Sequence, residues 1–499
     1  MKKYKNPERV FQDYIEALAE IEQERILLEI TSNPLLYIRK FLPEDKPELS
    51  FLESRKKKSL FTLNLLSFPI LIFFNSIACY FLISARNRNI KQAESEKDTY
   101  DFIFLSHLVD PPLNREIEDR FLGVISKHAA FKNKSLALFL PHFQQSKKMS
   151  PLIGHHTSEL MRRVTGPKKL MSLILENNIQ AINLYRRACT LRSKNFNSRL
   201  LLIKVANRQI QRDCLSDLII AENCVELIER YKPKVFFITY EGHTFEVTTI
   251  KKLKELFPKL VIMAYQHAPI VNSQNGFFRG LKLFTKNVFL LTSGDLTAQI
   301  AVMRNNVILN NVKNLGSDKH LLWEEPDTRY KHNQDFKVLL VPEASDGAVL
   351  ELIELTQGIS SGLPVQYSIR LHPRMKIGRV NQEIIEKFGR IQVSTNPDLQ
   401  TDIRSAQACA YRSSAAAIQA MQYGLLPIFT SHYPNLLVDP LYLVGQLARY
   451  NSLYEMIQIQ SRSIERNILS DEDRNLVREI GLDYFAEENR KTIEWICSF

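Results

Sequence analysis

From Tyr100 onward, short apolar runs alternate with longer stretches of helical period, and they do so in two successive blocks. The first block has runs at Tyr100–Leu105, Ser135–Leu140, Lys234–Thr239, Lys259–Tyr265, Asn287–Thr292 and Val312–Leu315. A long stretch without strand signal, Lys168–Arg230, sits inside it. The second block has runs at Lys337–Val341, Val365–Leu371, Ile391–Val393, Ala408–Tyr411 and Leu426–Phe429. Strands alternating with helices must cover both faces of a parallel sheet. The pattern predicts an α/β chain of two Rossmann-like, doubly wound domains, over 100–322 and 335–455, with a polar linker at Trp323–Gln334. The tail, 456–499, reads as helices that pack back on the first domain. In such sheets ligands sit beyond the carboxyl ends of the strands, so the chemistry is expected in loops that directly follow strands.

Residues 1–99 read as a helical extension with an apolar segment at 59–85. No charged residue occurs from Ser59 to Ala85, while Arg55, Lys56, Lys57 and Lys58 precede the run and Arg86, Arg88 and Lys91 follow it. The run exceeds the ~20 residues that span a bilayer as a helix. Three arrangements are open: a spanning helix, a re-entrant or interfacial hairpin broken near Pro69 and Asn75, and a helix pair buried in the protein. The residues after Met1 are charged, unlike the apolar stretch of a signal peptide. The formal net charge of +12 suits anionic partners, namely a nucleotide or an anionic membrane surface. Nucleic-acid signatures are lacking. Six scattered cysteines without a C-x-x-C pair point to a reducing compartment and away from a disulfide framework or structural zinc site.

Five loops follow strands and carry chemistry. In Tyr240-Glu241-Gly242-His243, Glu241 is suited to act as a general base, with Gly242 allowing an acceptor close approach; Glu241 is equally placed to cap the next helix. In Gln266-His267-Ala268-Pro269, His267 is a second base candidate or a buried, satisfied histidine. Arg370-Leu371-His372-Pro373-Arg374 offers donors for a departing anion. Ser413 and Ser414 open a small-residue helix, as an anion site or an ordinary N-cap. Ser345, in Pro342–Gly347, lines a ligand or caps. His107, after the first strand, completes the acceptor side with Gly242 and Gln266. Asp471 and Asp473 mimic a metal-binding pair but read better as acids in a first helical turn behind Ser470. No metal site and no cofactor is expected.

The order of these motifs resembles bacterial GT-B glycosyltransferases that use CMP-activated sugars, the sialyl- and polysialyltransferase group and its Kdo-transferase relatives. The likeness covers roughly Tyr100–Tyr450. It rests on Glu241-Gly242, His372-Pro373 and Ser413-Ser414, with Tyr240 standing where that group has an acidic residue. It implies a base at Glu241 and donor-phosphate binding by His372, Ser413 and Ser414; Pro373, Arg374 and Ser345 are further donor-nucleotide contacts expected from their loops. Gln266-His267 is similar to a stretch of capsule, lipopolysaccharide and teichoic-acid polymerising enzymes. The implied function is metal-independent transfer of a sugar from a nucleotide donor, CMP-linked and sialic-acid- or Kdo-like, to a cell-surface glycan or glycolipid acceptor. The implied place is the cytoplasmic face of the bacterial inner membrane. The alternatives are a UDP-sugar or CDP-glycerol donor, or a non-catalytic nucleotide-binding subunit of a glycan-assembly complex.

Overall fold

A computed structural model of the chain describes residues 7–23, 32–38, 67–81, 99–108, 135–141, 157–160, 166–191, 196–305, 309–321, 336–357, 365–372, 391–431, 438–447 and 471–499, with residues 49, 52, 121–122, 125, 128, 375, 450–452 and 455 between them. Two parallel sheets form the scaffold, and every strand pair in them is parallel.

The first sheet holds β1 (Phe102–Leu108), β2 (Ser135–Pro141), β3 (Thr157–Leu160), β4 (Val235–Thr239), β5 (Val261–Gln266), β6 (Val288–Thr292) and β7 (Val312–Asn314), in the order β3-β2-β1-β4-β5-β6-β7. The second holds β8 (Phe336–Val341), β9 (Val365–Ile369), β10 (Ile391–Val393), β11 (Ala408–Tyr411) and β12 (Leu426–Phe429), in the order β10-β9-β8-β11-β12. Each order reverses once, between β1 and β4 in the first sheet and between β8 and β11 in the second. At such a reversal the connections leave in opposite directions and open a crevice beyond the strand ends. All five residues of β4 and all six of β5 are buried, as the continuous apolar runs require of strands covered on both faces.

Helix α1 (Pro7–Gln23) and residues 32–38 are part of the first unit's core rather than an appendage. Asn33 Nδ2 donates to Val205 O at 2.7 Å, and Asn275 Nδ2 donates to Leu36 O at 2.7 Å. A second helix, α2, covers residues 67–81. It runs unbroken through Pro69 and Asn75, so the expected hairpin break is absent from this stretch. One face of α2 packs and the other is exposed, which also departs from a buried helix pair. Among the described residues no helix is long and apolar enough to cross a membrane; residues 59–66 and 82–85 of the expected segment lie outside them.

The stretch read as helical is three helices: α3 (Pro167–Thr190), α4 (Phe196–Gln209) and α5 (Arg212–Tyr231). Proline stands at the start of α3, where a missing N–H costs nothing. Leu170, Leu173, Ile174, Asn177, Ala181, Leu184 and Ala188 form its buried stripe at three- and four-residue spacing. After β4 comes α6 (Thr244–Leu256), after β5 the short α7 (Asn275–Gly280), and after β6 α8 (Asp295–Asn305). The second sheet carries α9 (Asp346–Gln357), α10 (Leu399–Arg404) and α11 (Ala415–Met421). The tail forms α12 (Asp471–Tyr484), which opens on Asp471, Glu472 and Asp473 in its first turn, and α13 (Arg490–Cys497).

Helix α12 ties the two units together. Tyr484 Oη accepts from Ile270 N at 2.8 Å on the first unit, and Gln422 Nε2 of the second donates to Gly481 O at 3.3 Å. A Cβ on Gly481 would lie 2.7 Å from Gln422 N, so this crossing needs glycine.

Candidate active site

The first sheet's reversal point lies between the ends of β1 and β4, and there the chain places His107 and Glu241. The next strand end, that of β5, adds His267. Glu241 and His267 are both buried, and His267 Nε2 lies 2.8 Å from Glu241 Oε1. His243 Nε2 stands 3.8 Å from the other oxygen, Oε2, and is about one-third exposed. One carboxylate is thus flanked by two imidazoles, one sealed in and one at the opening. Two acidic residues compete for the helix start, and Glu246 takes that role. Its Oε2 accepts the backbone N–H groups of Glu241 and His243, each at 2.8 Å, and its Oε1 accepts from Thr239 Oγ1 at 3.3 Å. With the cap assigned to Glu246, the Glu241 carboxylate is left to the histidines. A carboxylate bonded to a histidine at a strand end is suited to removing a proton from a hydroxyl.

An aromatic wall surrounds this pair. The His107 ring is 5.5 Å from Phe245 and 6.2 Å from His243, while Phe121 lies edge-on to His267 at 4.7 Å. His243 stands in the sequence motif without an assigned role, and Phe121 and Phe245 carry no local signal that marks them.

Gly242, Gln266 and Tyr240 are each engaged within the fold. Gly242 has φ +79°, and a Cβ there would lie 2.0 Å from Phe277 N. The glycine therefore makes room for α7. Gln266 is 1% exposed, and its Oε1 accepts from Ser293 N and Oγ, both at 3.2 Å. That side chain ties two strand ends and is not presented to an acceptor. Tyr240 is fully buried, donates to Phe277 O at 2.9 Å and packs on Phe284. Burial raises its hydroxyl pKa well above the ordinary value. The position where the CMP-sugar transferases carry an acid is a core position here.

The second reversal point, between β8 and β11, gathers the loops that follow β8, β9 and β11. Arg412, after β11, is buried between two acids: Nε donates to Glu343 Oε1 at 2.9 Å, and Nη1 pairs with Glu351. Arg370 Nη1 pairs with Asp402 Oδ2 at 2.6 Å and donates to Asp398 O at 2.9 Å. Both guanidinium groups thus fasten the unit internally. Ser345 Oγ accepts from Ala348 N at 3.1 Å, and Ser414 Oγ accepts from Ala416 N at 3.3 Å, so both serines cap helices. Ser413 is buried beside them, and His372 is partly exposed at the end of β9. The loops after the three adjacent strands bring Ser345, His372, Ser413 and Ser414 to one edge. Pro373 and Arg374 lie outside the described residues.

Lys319 joins the two regions, and the sequence reading passed it over. Its Nζ bonds His267 O, and its own carbonyl accepts from Gln419 Nε2 of α11 at 3.4 Å. Among the described residues no group of three or more His, Cys, Asp or Glu is arranged to hold a metal ion.

No protein-family model matches the chain, and no curated protein matches its sequence. Solved structures do superpose on it. The glycosyltransferase SnogD from Streptomyces nogalater is similar over 80% of this chain and 99% of its own, at 9% identity and a TM-score of 0.39. The UDP-GlcNAc 2-epimerase from Neisseria meningitidis is similar over 80% of this chain and 100% of its own, at 9% identity and TM-score 0.39. The lipopolysaccharide outer core galactosyltransferase WaaB is similar over 77% of this chain and 97% of its own, at 12% identity and TM-score 0.40.

Proposed function

We propose that this chain is a glycosyltransferase that moves a sugar from a nucleotide donor to a surface glycan or glycolipid, with Glu241 and His267 acting together as the base. The observation that carries this is the 2.8 Å contact between Glu241 Oε1 and His267 Nε2, sealed from water at the first sheet's reversal point. Hydrogen bonding to one oxygen orients the carboxylate and leaves Oε2 beside His243 Nε2, at 3.8 Å. Glu241 takes the proton from the acceptor hydroxyl as that oxygen attacks the anomeric carbon of the donor. The bond from that carbon to the phosphate oxygen breaks, and the electron pair leaves with the nucleotide. Negative charge then grows on the phosphate, and in this reading His372 and the hydroxyl of Ser413 donate hydrogen bonds to it.

The donor is read more broadly than the CMP motif implies. Tyr240 fills the acidic position of that motif and is spent in the core, so UDP-linked sugars rank ahead of CMP-linked ones. The same substitution motivated a non-catalytic alternative; the paired Glu241 and His267 speak against a lost base. A cytosolic site of action fits the six cysteines, all of them free thiols.

The test is nucleotide release by the purified full-length chain from UDP-, CMP- and CDP-linked donors, with a glycan acceptor. Release that depends on acceptor is expected with at least one donor. Thermal stabilisation by a nucleotide with no turnover would favour the binding subunit.

A further inference from the structure

Of the ten large hydrophobic side chains exposed among the described residues, eight lie on two neighbouring helices. Ile70, Phe73, Phe74, Ile77 and Phe81 are on α2; Met171, Leu175 and Ile179 are on α3. The helices run antiparallel. The Phe68 ring stacks on Tyr185 at 4.4 Å, Asn178 Nδ2 donates to Ser76 Oγ at 2.9 Å, and Cys79 packs with Leu170, Leu173 and Ile174. As the chain climbs α2, its partners descend α3. This packing takes up Phe68, Ser76 and Cys79, and it leaves the other face of α2 bare.

That face is wholly apolar: Pro69, Ile70, Phe73, Phe74, Ile77, Ala78 and Phe81 are its exposed residues. On α3 the exposed stripe is Met171, Leu175 and Ile179, with Lys168 before it and Arg186 after it in the same helical phase, and both cations are exposed. Further cations flank α2 in sequence, Arg55 to Lys58 on one side and Arg86, Arg88 and Lys91 on the other.

We infer that this two-helix face docks on an anionic lipid bilayer, lying in the plane of the interface. Three observations choose lipid over protein. A protein interface carries about one hydrogen bond per 100–200 Å² and a mixed polar rim, whereas every exposed residue of α2 is apolar. Cations at both ends of an apolar stripe match headgroup phosphates while the aliphatic and aromatic groups enter the acyl boundary. A second copy seated on the same face would set Lys168 and Arg186 against their own kind in either orientation, which costs energy. One face of α2 packed on α3 and the other bare suits a helix lying in the interface. This inference does not depend on sugar transfer.

Vesicle flotation of the full-length protein tests it, with phosphatidylcholine vesicles with and without phosphatidylglycerol. Binding to the anionic vesicles is expected, weakening with salt. Phe73→Glu with Phe74→Glu should lower it at least tenfold while the melting temperature stays unchanged. Leu175→Glu, on the other helix, should do the same and serves if the double variant fails to fold. Lys168→Glu with Arg186→Glu should lower binding to anionic vesicles severalfold and leave any binding to neutral ones as it was. The inference is overturned if wild type ignores both vesicles, or if binding survives the α2 and α3 substitutions. It is also overturned if wild type is an oligomer that these substitutions convert to monomer without any vesicle binding.

Discussion

The ends of β4 and β5 and the ends of β8, β9 and β11 occupy equivalent places in their sheets, yet they are built differently. At the first, the reactive groups are buried and already joined: Glu241 meets His267 at 2.8 Å, with Glu246 fixing the backbone beneath. At the second, the charged groups are spent on the fold. Arg412 is locked between Glu343 and Glu351, Arg370 is locked to Asp402, and Ser345 and Ser414 cap helices. What faces outward is His372 and a row of strand ends. The first region has its chemistry preorganised without a ligand. The second is a frame of internal ion pairs and caps, and under the proposed function its ligand contacts come from a few groups at its rim. Similar topology therefore fixes where a site lies but not how much of it is ready.

Three perturbations probe that difference. The largest effect is expected at Arg412. Arg412→Met strands two carboxylates, Glu343 and Glu351, in a buried setting, and breaking such a pair costs about 3–5 kcal/mol. Denaturant unfolding should show that loss; an unaltered midpoint would mean that the guanidinium is not the frame's fastener. Next is His372→Ala, which should lower kcat/KM for the donor by about tenfold, or ~1.4 kcal/mol. A loss larger than that of the Glu241 variant would reverse the ranking of the two regions. The smallest effect concerns pH. Asp439 is buried, and desolvation pushes its carboxyl up to about 7, against hydrogen bonds from Leu441 N and Tyr411 Oη. The folded state therefore holds a proton that the unfolded state releases near the ordinary carboxylate pKa. Stability from this group is fully present below about pH 4 and is lost as pH rises toward 7. Asp439→Asn should flatten that decline and raise the melting temperature at pH 7 by about 1 °C per kcal/mol recovered. A wild type whose stability rises across that range would contradict it.

The two sheets were legible because strands covered on both faces must be continuous apolar runs, and Val235–Thr239, Ile391–Val393, Ala408–Tyr411 and Leu426–Phe429 emerge at the expected positions. Strand β3, Thr157–Leu160, has no such run and escaped notice. Glu241 and His267 were each visible as strand-end residues, but their contact depends on β4 and β5 pairing side by side, Thr239 opposite Tyr265. Local pattern carries no such information. The same holds for Gly242, whose φ and closeness to Phe277 N depend on a helix that arrives from farther along the chain. Nothing local marks Arg412 as a fastener, because its acidic partners lie 61 and 69 residues away. The run Ser59–Ala85 announced an apolar element; that only one face of α2 is packed depends on α3, again distant in sequence.

The central claim is that Glu241 and His267 act as one base, and a double-mutant cycle on single-turnover sugar transfer tests it most directly. Groups that work as a unit are strongly non-additive when removed together. Glu241→Gln and His267→Ala should each slow transfer by roughly 10²-fold, the scale of a lost general base, with donor affinity nearly unchanged. The double variant should be scarcely slower than either single one. Near-wild-type transfer by a folded Glu241→Gln, or losses that multiply in the double variant, would contradict the account.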